Sequence, residues 1–533
     1  MAHRPNVVII LTDHQGVDSL ACYGHERHSP ATDRLAKEGM CFTHATTTTG
    51  ICAPARCAMQ TGYFAHYLGI PNNLWSSRQV AHSPGLLVPP EFGIRTIPSY
   101  MKEAGYLCGL VGKLHMSGSP PKHGYDDYLD FLGGAKDRNR HIAPRPFRDY
   151  LAAQGVKVEG PVRVDQAERG IRFYRSGKWH AMSARLLDYA AEHTGAAFIF
   201  SEGIRLIEAY ARTGQPFLAQ IHLSQEPHWP YIVPEPYANM YDPGRIPPWP
   251  NFDDQLSHHP LTHRLRREAW LTQNEPWARW AESISKHYGM CAMVEDQAAR
   301  LLACLDRLGV ADNTMVIWTA DHGAPNGAHG VFDKDARMID ELYRIPMLVR
   351  WPAGSVAAGT VSDQFVQTID ILPTLLEMAR APVPPDLHGK SMLPILRGDP
   401  DAPKRDYAFW TSGGDPFALA SVRGIRTERF KYIYNAYDMD EFYDLELDPA
   451  EMTNRIDDPK YQDEIQRLKK LLRTEMERTG DPLTAFSGWH LLREGESQPP
   501  DTAEWTISPG ESYPHAPEMV LADLGCYKLH PKS

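Results

Sequence analysis

The hydrophobic pattern begins almost at the N-terminus. Val7-Val8-Ile9-Ile10-Leu11 is an unbroken apolar run with no polar alternation. Such a run predicts a strand buried on both faces of a parallel sheet. Three more runs behave alike: Tyr106 to Val111, Phe217 to Leu223 and Thr314 to Thr319. Between them the spacing turns helical. Residues 31 to 39, stopped by Gly39, and Thr96 to Ala104, ending at Gly105, read as helices. Another starts near Ala196 and carries Phe198, Ile204, Ile207 and Tyr210. The clearest has Ile284, Tyr288, Cys291, Val294, Ala298, Leu301, Leu305 and Leu308 at steps of three or four, with Gly309 after it. Strands alternating with helices predict a doubly wound α/β fold.

Elsewhere the pattern is weaker. Residues 133 to 185 are Arg- and Gly-rich without period, an expected excursion over the site, and residues 232 to 278 read as Pro- and Trp-rich loop. A helix is expected over Asp370 to Ala381, followed by the punctuation Pro382 to Pro385. Beyond it, Ala418 to Ile425, Lys431 to Tyr434 and Asp440 to Leu447 predict short antiparallel strands, and Tyr461 to Thr479 an amphipathic helix. We therefore expect an α/β domain over 1–390, an α+β subdomain over 391–480, and a tail over 481–533. That tail holds Phe486, Trp489, Trp505, Tyr513 and Leu524 without period, so it is expected to cover a surface at an oligomer interface, in a homodimer or homotetramer.

Composition narrows the class. At 533 residues, 42% hydrophobic and 23% charged, the chain is globular and large enough for more than one core. Its formal charge of −11 excludes general nucleic-acid binding, which needs a basic footprint. No apolar run approaches the roughly 20 residues of a membrane span. Met1-Ala2-His3-Arg4-Pro5 leads straight into a strand, with no signal-peptide pattern. The eight cysteines show no C-x-x-C spacing, which fits a reduced, cytoplasmic chain.

Chemistry gathers at the strand ends. The four runs deliver Asp13-His14, Gly112-Lys113-Leu114-His115, Glu226-Pro227-His228-Trp229 and Asp321-His322. Open α/β sheets place ligands at the carboxyl ends of their strands. To these is added Cys52-Ala53-Pro54-Ala55-Arg56. Pro54 suits a first helical turn, so Cys52 is expected just before a helix, where free N–H groups favour an anion. Arg56 offers a planar fork to a tetrahedral oxyanion.

Cys52-x-Pro54-x-Arg56 resembles the C-x-P-x-R signature of type I, formylglycine-dependent sulfatases in the alkaline phosphatase superfamily, with Ala55 where many relatives carry Ser. The order of the other motifs matches as well: Asp13, G-K-x-H, P-H-x-P-Y, D-H-G, Val331-Phe332-Asp333-Lys334, Arg344 to Pro352, Asp370 to Thr374, and Tyr443-Asp444-Leu445 with Asp448-Pro449. The resemblance implies an alkaline-phosphatase-like fold: a large, mostly parallel sheet sandwiched by helices, with a smaller C-terminal α+β subdomain holding a short antiparallel sheet.

It also implies a sulfuric ester hydrolase. Cys52 would be oxidised to formylglycine by a formylglycine-generating enzyme, and its hydrate would attack sulfur and then expel sulfate. Asp13, His14, Cys52, Asp321 and His322 would hold one divalent ion, with Ca²⁺ and Mn²⁺ both open. Arg56 would orient the nucleophile, Lys113 and Lys334 would bind sulfuryl oxygens, and His115 would hold or deprotonate the second hydroxyl. His228 would protonate the leaving alcohol. Asn73 and Trp229 are further candidates for substrate contact. The family usually has a second acid where this chain has His14. A related branch that hydrolyses phosphonate monoesters or phosphodiesters shares that departure, which makes it the alternative reading. That branch tends to lose the Lys and His of G-K-x-H, and Lys113 and His115 are both present here.

Overall fold

The computed structural model describes residues 4–485 except 74–92, 117, 131–140, 142–146, 157–184, 188–189, 225, 271, 273 and 415–418. The expected excursion therefore falls largely outside the described residues, as does the tail from residue 486 onward.

The four apolar runs become β1 (Asn6–Thr12), β3 (Leu107–Gly112), β5 (Phe217–His222) and β6 (Thr314–Ala320). With β2 (Met40–Phe42), β4 (Asp127–Asp130), β7 (Met347–Arg350) and β8 (Thr360–Ser362) they form one eight-stranded sheet. Its order is β8-β2-β7-β6-β1-β5-β3-β4. All neighbours are parallel except β7, which runs antiparallel to both β6 and β2. The strand β1 lies at the centre, and every one of its residues is buried.

Helices cover both faces, as the double burial requires. Val8, Ile10, Val316 and Trp318 pack with residues of two helices, Gly195–Thr213 and Trp277–Arg307. Val7, Ile9, Leu11, Met315 and Ile317 face the other layer, with Met101, Leu372, Leu375 and Leu376. Helix Cys52–Thr61 also lies in that layer, and all ten of its residues are buried. A helix covered on every side belongs to the core of a large protein. Gly62 ends it at φ +75°, and its N–H donates to the Ala58 carbonyl.

The C-terminal part forms a four-stranded antiparallel meander: β9 (Tyr407–Gly414), β10 (Leu419–Thr427), β11 (Phe430–Asn435) and β12 (Glu441–Asp444). Helix Gln462–Arg478 lays Ile465, Leu468, Leu472 and Met476 against Phe409, Ile425, Tyr432 and Phe442.

Three expectations need correction. β9 was not foreseen; it pairs with β10 through a register shift between Ser412 and Gly414. Leu261–Ala269 is a helix within the expected loop, with Leu261 and Leu265 exposed and His263 and Arg266 buried. Cys52 is the first residue of its helix, and Ile51 occupies the cap position before it. Among the described residues, no helix is long and apolar enough to cross a membrane.

Candidate active site

The parallel ladder continues one residue past the strands, and that extension aims the polar side chains. The Asp321 N–H donates to the Thr12 carbonyl at 3.1 Å, Leu223 N–H to Leu11 at 2.8 Å, and Lys113 N–H to His222 at 3.0 Å. Gly112 precedes Lys113 with φ +113°, and a Cβ there would lie 1.7 Å from the His222 carbonyl oxygen. Only glycine lets β3 approach β5 this closely before Lys113.

Arg56 rises from the buried helix into the middle of these ends. Its Nε donates to Asp321 Oδ2 at 2.7 Å and its Nη1 to the Lys113 carbonyl at 2.7 Å. Its Nη2 donates to Asp13 Oδ2 at 3.1 Å and to the Leu223 carbonyl at 3.2 Å. One guanidinium thus ties together the ends of β1, β3, β5 and β6. Both carboxylate pairs are fully buried.

Above it, Asp13, Cys52, Asp321 and His322 place one donor atom each within 4.8 Å of one another. Cys52 Sγ lies 3.1 Å from His322 Nε2 and 3.6 Å from Asp13 Oδ1. His322 Nδ1 sits 2.9 Å from the Gly323 carbonyl, which assigns that nitrogen the proton and leaves the Nε2 lone pair toward the group. Two carboxylates, one imidazole and a fourth side chain suit a divalent cation.

Lys113 Nζ donates to Asp13 Oδ2. His115, at φ +56°, faces the Cys52 side chain. Burial would raise the Cys52 thiol, but Lys113, Lys334 and His322 outweigh it and hold the thiol well below its ordinary range. Burial likewise would raise Asp13, as would Cys52, yet Lys113, His228 and Arg56 keep it below the usual carboxylate range. Asn73 accepts the Ala53 N–H at 2.9 Å, capping the helix that carries Cys52.

A second group stands beside the first. The His228 Nδ1 lies 2.6 Å from the Trp229 carbonyl, and its Nε2 meets Lys334 Nζ. Lys334 is buried and also sits 3.6 Å from Asp333. Burial lowers its pKa, but Asp333, Cys52, Asp13 and Asp321 more than reverse this and raise it. His14 does not join the four-donor group. It takes a left-handed φ of +66°, which turns its ring to His228 and Asp333, 3.5 Å from the Asp333 carboxylate and 3.3 Å from the Tyr231 hydroxyl. Trp229 is not an exposed stacking surface. It is buried against Trp270 and Phe332, ring centroids 5.5 and 5.8 Å away.

Asp333, Tyr231, Asn326 and His287 complete this wall, and no role was foreseen for them. Asp333 and Tyr231 stand inside motifs already noted. His287 donates toward the His14 carbonyl from a long helix, where it stands as a polar residue on the apolar stripe of Ile284, Tyr288 and Cys291.

Comparison with known proteins now adds to the geometry. Residues 5–381 match the family model described as Sulfatase, and residues 327–478 match that of the N-sulphoglucosamine sulphohydrolase C-terminal region. The uncharacterized sulfatase YidJ of Escherichia coli K12 is 28% identical over 92% of this chain and 90% of its own. The N-acetylglucosamine-6-O-sulfatase of Bacteroides thetaiotaomicron is 25% identical over 88% of this chain and 86% of its own. In fold, the phosphonate monoester hydrolase of Silicibacter pomeroyi superposes with a TM-score of 0.73, at 22% identity, over 90% of this chain and 97% of that one.

Proposed function

The chain belongs to the sulfatase family, and from that premise we propose that it hydrolyses sulfate monoesters through formylglycine made from Cys52. The observation that carries this reading is the position of Cys52: first in a buried helix, its side chain at the centre of Asp13, Asp321 and His322, with Arg56 beneath. The Sγ atom stands where formylglycine oxygens would lie. That modified side chain supplies the oxygen nucleophile, which a thiol cannot do without ending in a stable thiosulfate ester. A divalent cation held by Asp13, Asp321, His322 and residue 52 supplies Lewis-acid stabilisation of negative oxygen.

The remaining work falls to the chain's own residues. Arg56 fixes Asp13 and Asp321 in place. Lys113 shares its ammonium with Asp13 and keeps further protons for a sulfuryl oxygen. His115 reaches residue 52 and can accept a proton there. Lys334 and His228 act as a pair. Nδ1 of His228 holds a proton against the Trp229 carbonyl, which aims Nε2 as the atom that would carry a proton to the leaving oxygen, while Lys334 stays charged and binds a sulfuryl oxygen. Asn73 holds the helix that carries residue 52 by capping it through Oδ1.

The neighbouring His14, and the fold shared with a phosphonate monoester hydrolase, support a second activity on phosphonate monoesters. Both ester classes are tetrahedral monoanions. The test is a panel of aryl, alkyl and sugar sulfates beside a phosphonate monoester, run with intact-mass measurement of residue 52. Turnover of sulfates by formylglycine-bearing protein supports the reading. Preference for the phosphonate would reverse the order of the two activities, and turnover independent of the modification would overturn the mechanism.

A further inference from the structure

Well away in sequence from these residues lies another buried set of imidazoles and carboxylates. Asp254 and His259 come from the irregular segment before helix Leu261–Ala269. His329 comes from the turn Ala328–Gly330, and Glu441 and Tyr443 from β12. All five are buried. One donor atom each of Asp254, His259 and His329 lies within 4.8 Å of the others. Asp254 Oδ2 is 2.7 Å from His329 Nδ1 and 3.1 Å from His259 Nε2.

The hydrogen bonding around His259 shows what this set lacks. Tyr443 donates its hydroxyl proton to Glu441 Oε2 at 2.6 Å. Its oxygen is then free to accept from His259 Nδ1 at 3.0 Å. This assigns the ring proton to Nδ1 and leaves a lone pair on Nε2. That lone pair faces the Asp254 carboxylate at 3.1 Å, yet the two are not aligned as a hydrogen bond, and Nε2 is buried without a partner. Burial lowers the His259 pKa, but Asp254 and Glu441 reverse this and bring it to about 9, so a positive charge belongs between ring and carboxylate, and a metal ion can supply it in place of a proton. A carboxylate or hydroxyl behind the far nitrogen of a histidine is also the arrangement that orients metal-binding imidazoles. His329 Nε2 is a second buried nitrogen with no partner.

A cavity of about 10 Å³, room for one water, adjoins His259, His263, His329, Glu441 and Tyr443. Arg337 also lines it, but its charge is met by Asp335, which takes Nε at 2.7 Å and Nη2 at 2.5 Å. With neutral imidazoles, Asp254 and Glu441 leave two negative charges for a divalent ion to neutralise.

We propose that Asp254, His259 and His329 form a zinc-type structural metal site, with a water from the adjoining cavity as fourth ligand, distinct from the group around Cys52. Imidazole nitrogens with one carboxylate suit Zn²⁺ better than Ca²⁺. The ion ties the segment before helix Leu261–Ala269 to the turn that leads into Lys334, and through Tyr443 to the C-terminal sheet. This assignment does not depend on the chemistry proposed at residue 52.

The test is zinc stoichiometry on the full-length chain. Protein stripped by chelator is loaded with Zn²⁺, desalted and measured by elemental analysis, for the parent and for Asp254→Asn, His329→Gln and Asp321→Asn. The expected result is one zinc equivalent lost in Asp254→Asn and in His329→Gln, with a lower thermal midpoint, while Asp321→Asn keeps that equivalent. Unchanged zinc in the two former variants overturns the site and leaves an imidazolium clamped between carboxylates. Should either variant fail to fold, titration of stripped Asp321→Asn decides: one tight equivalent of Zn²⁺ supports the site, and none overturns it.

Discussion

Asp13, Lys113 and Asp321 reach their group from the ends of neighbouring parallel strands, and Arg56 locks those ends from a helix buried on all sides. Asp254, His259 and His329 reach theirs from irregular backbone, and lean on a strand of the C-terminal sheet through Tyr443. Both groups hold buried histidines and carboxylates. The first is fixed by rigid elements that the whole sheet stabilises. The second is fixed by side chains holding loops together. Removing the reactive side chain of the first should therefore cost chemistry with little local loosening, and breaking the second should loosen structure with little direct effect on chemistry.

The largest effect is expected at Cys52. Cys52→Ala removes the only side chain that can become formylglycine and should lower sulfate ester turnover by at least ~10³-fold. The substitution is small and the helix is held by its neighbours, so the thermal midpoint should hold nearly steady. Measurable turnover near the parent level, with normal metal content, would sink the proposed nucleophile.

Arg56 tests whether the first group is also structural. Arg56→Met leaves Asp321 and Asp13 short of a buried partner, though Asp13 keeps Lys113. Removing one side of a buried ion pair costs about 3–5 kcal/mol. Denaturant unfolding should show a loss of that order together with loss of activity. A stability change under about 1 kcal/mol would mean that water relaxes into the gap.

His228 sets apart proton delivery from simple binding. His228→Gln should slow esters of poor leaving alcohols about 10²-fold or more, and activated aryl sulfates far less. A uniform loss across a leaving-group series would make the residue a binding group.

The same contrast explains what could be read from the sequence. β1, β3, β5 and β6 are apolar runs, and the residues just past them carry the group, so topology alone brings Asp13, Lys113 and Asp321 together. His14 misleads because adjacency in sequence suggests a shared ligand set, whereas a left-handed backbone turns its ring away. Trp229 misleads because a tryptophan beside prolines gives no sign of which partners will cover it. The second group is silent for a further reason. Asp254, His329 and Glu441 are scattered over loop, turn and strand, and no period links them. Even the helix beside them hides, because buried His263 and Arg266 read as polar surface.

Tyr443 gives the finest test, since its hydroxyl bridges Glu441 and His259. Tyr443→Phe keeps the ring and the packing but deletes that link. Leaving two buried polar partners short of a hydrogen bond should cost about 1–3 kcal/mol. Activity measured at saturating substrate should remain close to the parent's, because no reacting atom is touched. The loss should also depend on pH. Burial alone raises the Glu441 carboxyl, but His263, His259 and Tyr443 reverse this and hold it down at about 2, below its ordinary 4.5. A depressed carboxyl contributes stability that is full above about pH 4.5 and fades as pH falls toward 2. Without the tyrosine hydroxyl the folded-state value rises toward the ordinary one, so that contribution shrinks at neutral pH and little remains to lose in acid. Stability curves of parent and variant should therefore lie apart at pH 7 and converge toward pH 2. Curves separated by the same gap at every pH would assign the loss to packing and remove Tyr443 from the link between Glu441 and His259.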